Sequence, residues 1–419
     1  MQLVPPSLKF GPTSSPWLNP AEYWPGLAAA TVDYDPPFGV ISVEALEHNA
    51  FDMLSRANGT TIRVASKSVR ARGIIDSVLA LPGYAGVLAY TLPEAIWLAT
   101  RTQGYEPIED VVVAYPTADR AAIRALASSA ALASRVTIMV DSIAQLDFVD
   151  SVIAPGERES IRVCLELDAS WDNWLFGHIG VRRSPVHTVT EAADLARIIT
   201  QRSGFTLVGV MGYEAQIAGL VNDPKNRARG ALVRYIQKRS TAELADRRGA
   251  AIAAIREFAE LEFVNGGGTG SLESSAAELA VTEVAAGSGL FGPHLFDDYK
   301  HFTPAPAAAF ALSVVRKPKP DIATLLGGGW IASGPPALDR LPKVVWPTGL
   351  KMEPREMAGE VQTPLTGEAA RGLRVGDRVW LRHTKAGEIS EHLQHFLMVK
   401  DGAVIDTQNT YRGDGQLFL

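Results

Sequence analysis

Three short segments carry the residue types that could do chemistry. Lys67 follows the run Ile62-Arg-Val-Ala-Ser66. A lysine at the end of such a run, among small apolar neighbours, is a candidate amine nucleophile, and a surface lysine would fit the position as well. Val264-Asn-Gly-Gly-Gly-Thr-Gly-Ser271 places Gly267, Gly268 and Thr269 at the centre of a glycine loop. Backbone N–H groups freed by glycine, with the Thr269 and Ser271 hydroxyls, suit a phosphate. The spacing is neither that of a P-loop nor that of a dinucleotide fingerprint. Ala286-Gly287-Ser288-Gly289 repeats the composition and could close the same cradle. Gly212-Tyr213-Glu214 offers a tyrosine able to stack on, or hydrogen-bond to, a bound ring; a half-buried core tyrosine is the plainer reading.

These segments sit at the ends of candidate strands. Apolar, β-branched runs alternate with Ala/Leu/Arg/Glu-rich stretches of helical composition. The expected strands are 61–66, 86–90, 111–115, 136–141, 162–168, 207–213, 261–264 and 281–285. The expected helices include 92–101, 119–134, 143–152, 190–203 and 226–260. Eight βα units predict a closed (β/α)8 barrel over residues 40–300, with an open doubly wound sheet as the alternative. In such barrels the carboxyl ends of the strands form the catalytic face, and phosphate often binds after the seventh and eighth strands. Prolines punctuate the chain from about residue 300. Short strand-like runs at 310–316, 378–381, 395–400 and 403–406, with Asp401-Gly402 as a hairpin turn, predict a mainly β domain over 301–419. Residues 1–39, rich in proline and aromatics, read as an irregular arm belonging to that second domain.

Composition excludes several classes. The 419 residues are 47% hydrophobic and carry a net charge of −6, which argues for a sizeable core and against a general nucleic-acid binder. The single cysteine, Cys164, rules out a disulfide scaffold or a Cys-rich zinc module and reads as a small buried hydrophobe. No secretory pattern opens the chain and no apolar run is long enough for a membrane span, so a soluble, cytoplasmic protein is expected. The basic run from Lys225 to Arg248 reads as the solvated face of a long helix. Trp171 and Trp174 could line a site or pack, and packing is the expectation.

A lysine and a phosphate cradle on one barrel face are the requirements of pyridoxal 5'-phosphate: an amine for its aldehyde and an anchor for its phosphate. Arg63-Val-Ala-Ser-Lys-Ser-Val-Arg70 resembles the lysine segment of the fold-type III pyridoxal phosphate enzymes, which have an alanine-racemase-like barrel. The resemblance extends through Gly212-Tyr213-Glu214, the loop 265–271 and Thr282–Gly289. The later segments Leu325–Gly329, Gly359–Pro364, Arg382–Glu388 and Thr410–Gly413 are most similar to D-threonine aldolase- and D-serine dehydratase-like proteins, in particular bacterial amino acid deaminase/aldolase proteins.

The resemblance implies a barrel followed by a β-domain, a homodimer with active sites near the subunit interface, and a small amino acid as substrate. It implies that Lys67 holds the cofactor aldehyde, that Gly267, Gly268, Thr269, Gly287 and Ser288 hold the phosphate, and that Tyr213 touches the cofactor. Tyr90 falls where related aldolases carry glutamine. His178, Arg182 and Arg183 are candidates for a cation near the ring. Relatives hold a divalent metal with a His-x-Asp or His-x-Cys pair near the chain end. Here the matching stretch is His383-Thr384-Lys385, and a protonated lysine is a poor ligand. Either His383 keeps the metal with Glu388, His392 or His395, or the Lys385 ammonium replaces its charge. The second is the expectation, with His383 and Lys385 as catalytic candidates. The activity implied is a lyase acting on D-3-hydroxy amino acids by retro-aldol cleavage. The alternatives are a dehydratase that releases ammonia, a racemase, or a non-catalytic pyridoxal phosphate carrier.

Overall fold

The computed structural model describes residues 1–3, 15–102, 104–335 and 337–419; the expected Pro5-Pro6 portion of the arm lies outside them. Eight parallel strands close into a barrel: Thr61–Ala65, Tyr84–Ala89, Val111–Val113, Val136–Val140, Ile161–Glu166, Phe205–Gly212, Phe263–Gly266 and Glu283–Ala286. The last pairs with the first, Glu283 beside Thr61 and Ala286 beside Val64. Each expected strand is present, with ends shifted by a few residues, and the open-sheet alternative is excluded by closure.

Side chains alternate along these strands. Leu88, Val112, Met139, Cys164, Met211 and Phe263 meet inside the barrel, and Cys164 is fully buried there. Below this apolar layer lies a polar one. The Arg63 guanidinium is 2% exposed and holds Glu283 through two bonds of 2.7 and 2.9 Å and Asp110 through a third of 2.8 Å. Asn265 Nδ2 donates to the same Glu283 at 2.8 Å, and the Phe263 ring lies 5.1 Å from the guanidinium carbon.

The surrounding helices begin where the sequence offers caps. Thr91, Asp119 and Ser129 each accept a backbone N–H with their side chains, and Thr188 with Glu191 forms a capping box on Val189–Gln201. Ser129 corrects one expectation. Residues 119–134 form two helices, Arg120–Ala127 and Ala130–Arg135, because Ser129 caps a new start. The basic run is corrected as well. It lies on the helix Arg227–Ile255, but Arg248 is buried among carboxylates and Arg247 bonds to Glu243 and to the carbonyls of Asp168 and Ser170.

Contacts divide the chain into two compact units. One holds Met53–Ser66, Leu81–Ala286 and Phe418–Leu419; the other holds Met1–Asp52, Lys67–Ala80 and Gly287–Leu417. This division differs from a boundary at residues 40 and 300. Phe38–Ser42 pairs into the β-rich unit, antiparallel to Ala308–Lys319 and parallel to His395–Lys400. The helix Arg72–Leu79 packs against Ala403–Asn409, and Tyr411 N–H donates to Arg70 O at 2.8 Å.

The β-rich unit is built on a nine-stranded sheet. Asp401 and Gly402, with φ of +50° and +75°, turn the hairpin between its last two strands, as Asp-Gly favours. The arm is not wholly irregular: Pro20–Ala30 is a helix that starts on a proline, a position where the missing N–H costs nothing. Its Tyr23, Trp24 and Leu27 pack with Phe38 and Trp380. No helix among the described residues is long and apolar enough to cross a membrane.

Removing one partner of a buried ion pair strands the other. Arg63→Met is therefore expected to lower stability by about 3–5 kcal/mol, read by denaturant unfolding. The double variant with Glu283→Met should recover much of that loss, which a purely steric effect would not.

Candidate active site

Lys67 lies in the helical turn Ser66–Ser68, which continues directly from the first barrel strand. Hydrogen bonds hold the backbone of the turn. Ser66 Oγ donates to Leu88 O at 3.1 Å within the barrel. Within the β-rich unit, Arg70 Nε donates to Lys67 O at 2.9 Å, Ser390 Oγ donates to Val69 O at 2.7 Å, and Arg70 pairs with Glu391. A Cβ on Gly387 would stand 2.2 Å from Lys67 O. Gly387, Ser390 and Glu391 thus pack on the lysine turn more than 300 residues earlier in sequence.

The glycine loop follows the seventh strand. Gly267 has φ of +97°, which favours glycine. A Cβ on Gly268 would lie 2.9 Å from Ala218 Cβ and 3.1 Å from the Tyr213 ring, so backbone and ring are in close approach. Thr269 is buried, and its carbonyl accepts from Arg56 Nη2 at 2.6 Å while Arg56 Nε holds Glu273 at 2.6 Å. Glu214, 1% exposed, accepts Ser271 Oγ at 2.9 Å and also Ser275 Oγ. It pairs with Arg248 at 2.9 Å, and Arg248 holds Glu278 at 3.0 Å. Burial pushes Glu278 up to about 7, opposed by Arg248 and reinforced by Glu214. Gly287 and Ser288 follow directly on the eighth strand, and Gly287 precedes the short helix Ser288–Phe291.

Tyr213 is half-buried, and loss of water pushes its hydroxyl up to about 12. The Arg183 guanidinium lies over its ring at 5.0 Å and over the Tyr115 ring at 5.2 Å, two cation–π contacts. Arg182 is exposed. His178 belongs to the hairpin of Trp171–Asn173 and Gly177–Ile179, with Nδ1 2.9 Å from Asp172 Oδ1. Trp174, expected to pack, stands 92% exposed at the tip of that hairpin, whereas Trp171 is buried. Tyr90 is buried against Phe418, ring centroids 6.4 Å apart.

One residue escaped the sequence reading. Glu166 ends the fifth strand. It shares the inward face with Cys164, two positions before it. It is 3% exposed, and its carboxyl has no hydrogen-bond or ion-pair partner among the described residues; Ser184 Oγ reaches only its backbone carbonyl, at 2.6 Å. Burial raises its pKa to about 7; Arg183 opposes this, and Asp141 and Asp168 reinforce it. The available signal was a charged residue between Leu165 and Leu167 in an otherwise apolar strand.

The cofactor and the metal fare differently. The close-approach glycines and the orphan carboxyl at the carboxyl end of the barrel fit a flat, phosphorylated ligand. The metal does not fit. Among the described residues no three His, Cys, Asp or Glu side chains are grouped to hold an ion. His383 is 1% exposed with both ring nitrogens unpartnered, and burial pushes it down to about 4. Glu388 spends its carboxylate on the N–H groups of Thr384, Lys385 and Ala386 at 2.9, 2.6 and 2.8 Å. His392 stacks on Trp330 at 4.9 Å, and His395 is exposed at a strand start.

Two outcomes follow from this geometry. Gly387→Ala must displace the Lys67 carbonyl, so cofactor capture, followed by absorbance, should slow well beyond any change in thermal stability. Glu166 is raised in the fold above its unfolded value near 4.5, so its contribution is present below that value and lost as pH rises through about 7. The cofactor-free Glu166→Gln protein should be more stable than wild type at pH 8, by up to ~3 kcal/mol. The gap should close toward pH 4.5, as pH-dependent denaturant unfolding would show.

Comparison with known proteins agrees with this architecture. The sequence profile of the alanine racemase N-terminal domain matches residues 41–294. The crystal structure of D-threonine aldolase from Filomicrobium marinum superposes with a TM-score of 0.71 at 23% identity, covering 90% of this chain and 95% of that one. D-threo-3-hydroxyaspartate dehydratase from Delftia sp. HT23 gives 0.68 at 18%, covering 91% and 98%. Alanine racemase from Bacillus anthracis gives 0.58 at 15%, covering 91% and 99%. No curated protein is significantly similar in sequence. At these identities the structures establish the fold, and the profile, spanning more than half of the chain, establishes the family. With the Lys67 turn after the first strand and the glycine loop after the seventh, the chain belongs to the alanine racemase N-terminal domain family of fold-type III pyridoxal phosphate enzymes.

Proposed function

We propose that this protein is a pyridoxal phosphate-dependent lyase acting on D-configured 3-hydroxy amino acids, removing water and then ammonia to give a 2-oxo acid. The observation that carries the reading is the packing of residues 387–391 on the Lys67 turn. It supports a site in which one small substrate would meet the amine and a second set of polar groups. The dehydratase structures among the similar folds favour elimination over carbon–carbon cleavage.

The bound cofactor would supply an electron sink for the carbon bearing the amino group. Lys67 would hold its aldehyde. Gly267, Gly268 and Thr269, with Gly287 and Ser288, would hold its phosphate, and Tyr213 would flank it. Once released, Lys67 Nζ takes the proton from the substrate Cα, and the hydroxyl leaves Cβ. The Lys385 ammonium supplies positive charge and a proton as that hydroxyl departs as water. The resulting enamine hydrolyses to a 2-oxo acid and ammonia.

Retro-aldol cleavage is the second reading, favoured by His383. Its ring nitrogens are buried and unpartnered, which suits acceptance of the proton from a β-hydroxyl as the Cα–Cβ bond breaks.

The test begins with the visible spectrum. A band near ~420 nm in the wild type, lost on borohydride reduction and absent in Lys67→Ala, is expected of a lysine-bound cofactor. A spectral change with D- but not L-threonine is the second expectation. 2-Oxobutyrate and ammonia then support elimination, glycine and acetaldehyde the aldol reading, and L-allo-threonine a racemase. A chain that stays colourless with added cofactor overturns all three.

A further inference from the structure

We infer that Glu214 is a positioning residue for the glycine loop 267–271, and that it sets the loop's affinity for a phosphoryl group without touching the ligand. The inference rests on the cofactor reading above. It comes from what one buried carboxylate holds. Glu214 stands just past the sixth strand, and its backbone carbonyl accepts the N–H groups of Ile217 and Ala218 at 3.0 and 2.9 Å, which starts the short helix Ala215–Ala218. Its carboxylate is 1% exposed. One oxygen accepts Ser271 Oγ at 2.9 Å and also Ser275 Oγ; the other accepts Arg248 Nη2 at 2.9 Å. Arg248 in turn holds Glu278 at 3.0 Å and the Gly212 carbonyl at 3.3 Å. A Cβ on Gly266 would stand 2.8 Å from Arg248 Nη1, so the guanidinium also packs on the backbone where the loop begins. The pair thus grips the chain before the loop at Gly266, at its end at Ser271, and beyond it at Ser275 and Glu278.

The geometry is that of a tether. Ser271 has one hydroxyl proton and directs it to Glu214, so none is left to donate to a phosphate. Ser275, 1% exposed on the helix Leu272–Ala276, reaches the same carboxylate oxygen. Ser271 N–H closes the turn on Gly268 O at 2.9 Å, so whatever holds Ser271 also holds Gly268. A Cβ on Gly268 would lie 2.9 Å from Ala218 Cβ and 3.1 Å from the Tyr213 ring. Glu214 therefore fixes the loop through its side chain, and through its backbone the helix and ring against which the loop rests. A buried ion pair adds little net stability over apolar side chains; what this one supplies is a fixed distance. Backbone N–H groups bind an anion well when they already converge before it arrives, and a loop rich in glycine does not hold such a shape alone.

The test compares two ligands that share a ring and an aldehyde. Cofactor-free protein is titrated with pyridoxal phosphate and with pyridoxal, and the ratio of the two dissociation constants isolates what the phosphoryl group contributes. In the wild type the phosphorylated ligand should bind about 10²-fold tighter, the worth of a pair of hydrogen bonds to a charged group. Glu214→Gln and Ser275→Ala should each cut that ratio about tenfold while pyridoxal affinity holds. Arg63→Met, which breaks a buried ion pair elsewhere in the barrel, should leave the ratio unchanged. Should Glu214→Gln fail to fold, Ser275→Ala decides, because it spares the ion pair. A wild-type ratio in Ser275→Ala overturns the inference, and so does an equal loss of affinity for both ligands, which would mark a structural role only. A ratio that falls in Ser271→Ala alone overturns it as well, since Ser271 would then be a direct ligand. A wild type that discriminates between the ligands beside variants that do so equally sinks this inference alone; a wild type that binds neither ligand sinks the functional reading with it.

Discussion

Closure of the parallel sheet is the constraint on which the rest depends. Eight strands that all run one way place eight carboxyl ends on one rim, and the pairing of Glu283–Ala286 with Thr61–Val64 turns a linear order into a circle. Residues some 200 positions apart, at the end of the first strand and in the loop after the seventh, become near neighbours. The fifth strand becomes the far wall. Parallel strands require long crossovers, and those crossovers supply the helices whose caps are readable in the sequence.

Buried charge stabilises this arrangement where backbone bonds alone leave loops free. Arg63 ties Glu283 and Asp110 at the amino end of the barrel, and Arg248 ties Glu214 and Glu278 behind the glycine loop. Pairs this buried contribute little net stability over apolar replacements, because desolvation offsets attraction. Their value is positional. Glu214 follows Tyr213 in the chain and also accepts from Ser271 and Ser275, so one carboxylate sets the ring and the loop at a common spacing. Arg56 does the same from the other side through Thr269 O and Glu273.

The parts legible in the sequence are those governed by local period and composition. Strands declare themselves by β-branched runs, helix starts by Thr, Ser and Asp, the hairpin by Asp401-Gly402. Lys67 and the glycine loop were visible because their types are rare at strand ends. Long-range packing was not legible: no local pattern says that Gly387 sits against Lys67 O, that Arg248 is buried within a basic run, or that Trp174 is exposed where Trp171 is not. The chain segment 67–80 follows a barrel strand yet packs with the β-rich unit, a fact that depends on residues near 390 and 410. The helix Pro20–Ala30 was hidden by the prolines that accompany it, since its stability comes from burying Tyr23, Trp24 and Leu27 against a sheet formed elsewhere in the chain.

Glu166 shows how burial and charge oppose each other at one position. A carboxyl at the inward end of a strand, without a donor, is unfavourable to the fold, and the surrounding acids make it more so. A glutamine would relieve the charge, and an apolar side chain would extend the layer formed by Met139, Cys164 and Met211. The same features that burden the empty barrel, burial and the absence of a competing partner, are those that fit the carboxyl to receive a donor from outside the chain. Arg183 makes the same point from the opposite sign: held over two tyrosine rings, its charge is spread along the wall and does not saturate the carboxyl. The closed sheet around Glu166 is what keeps this unmet acceptor in place.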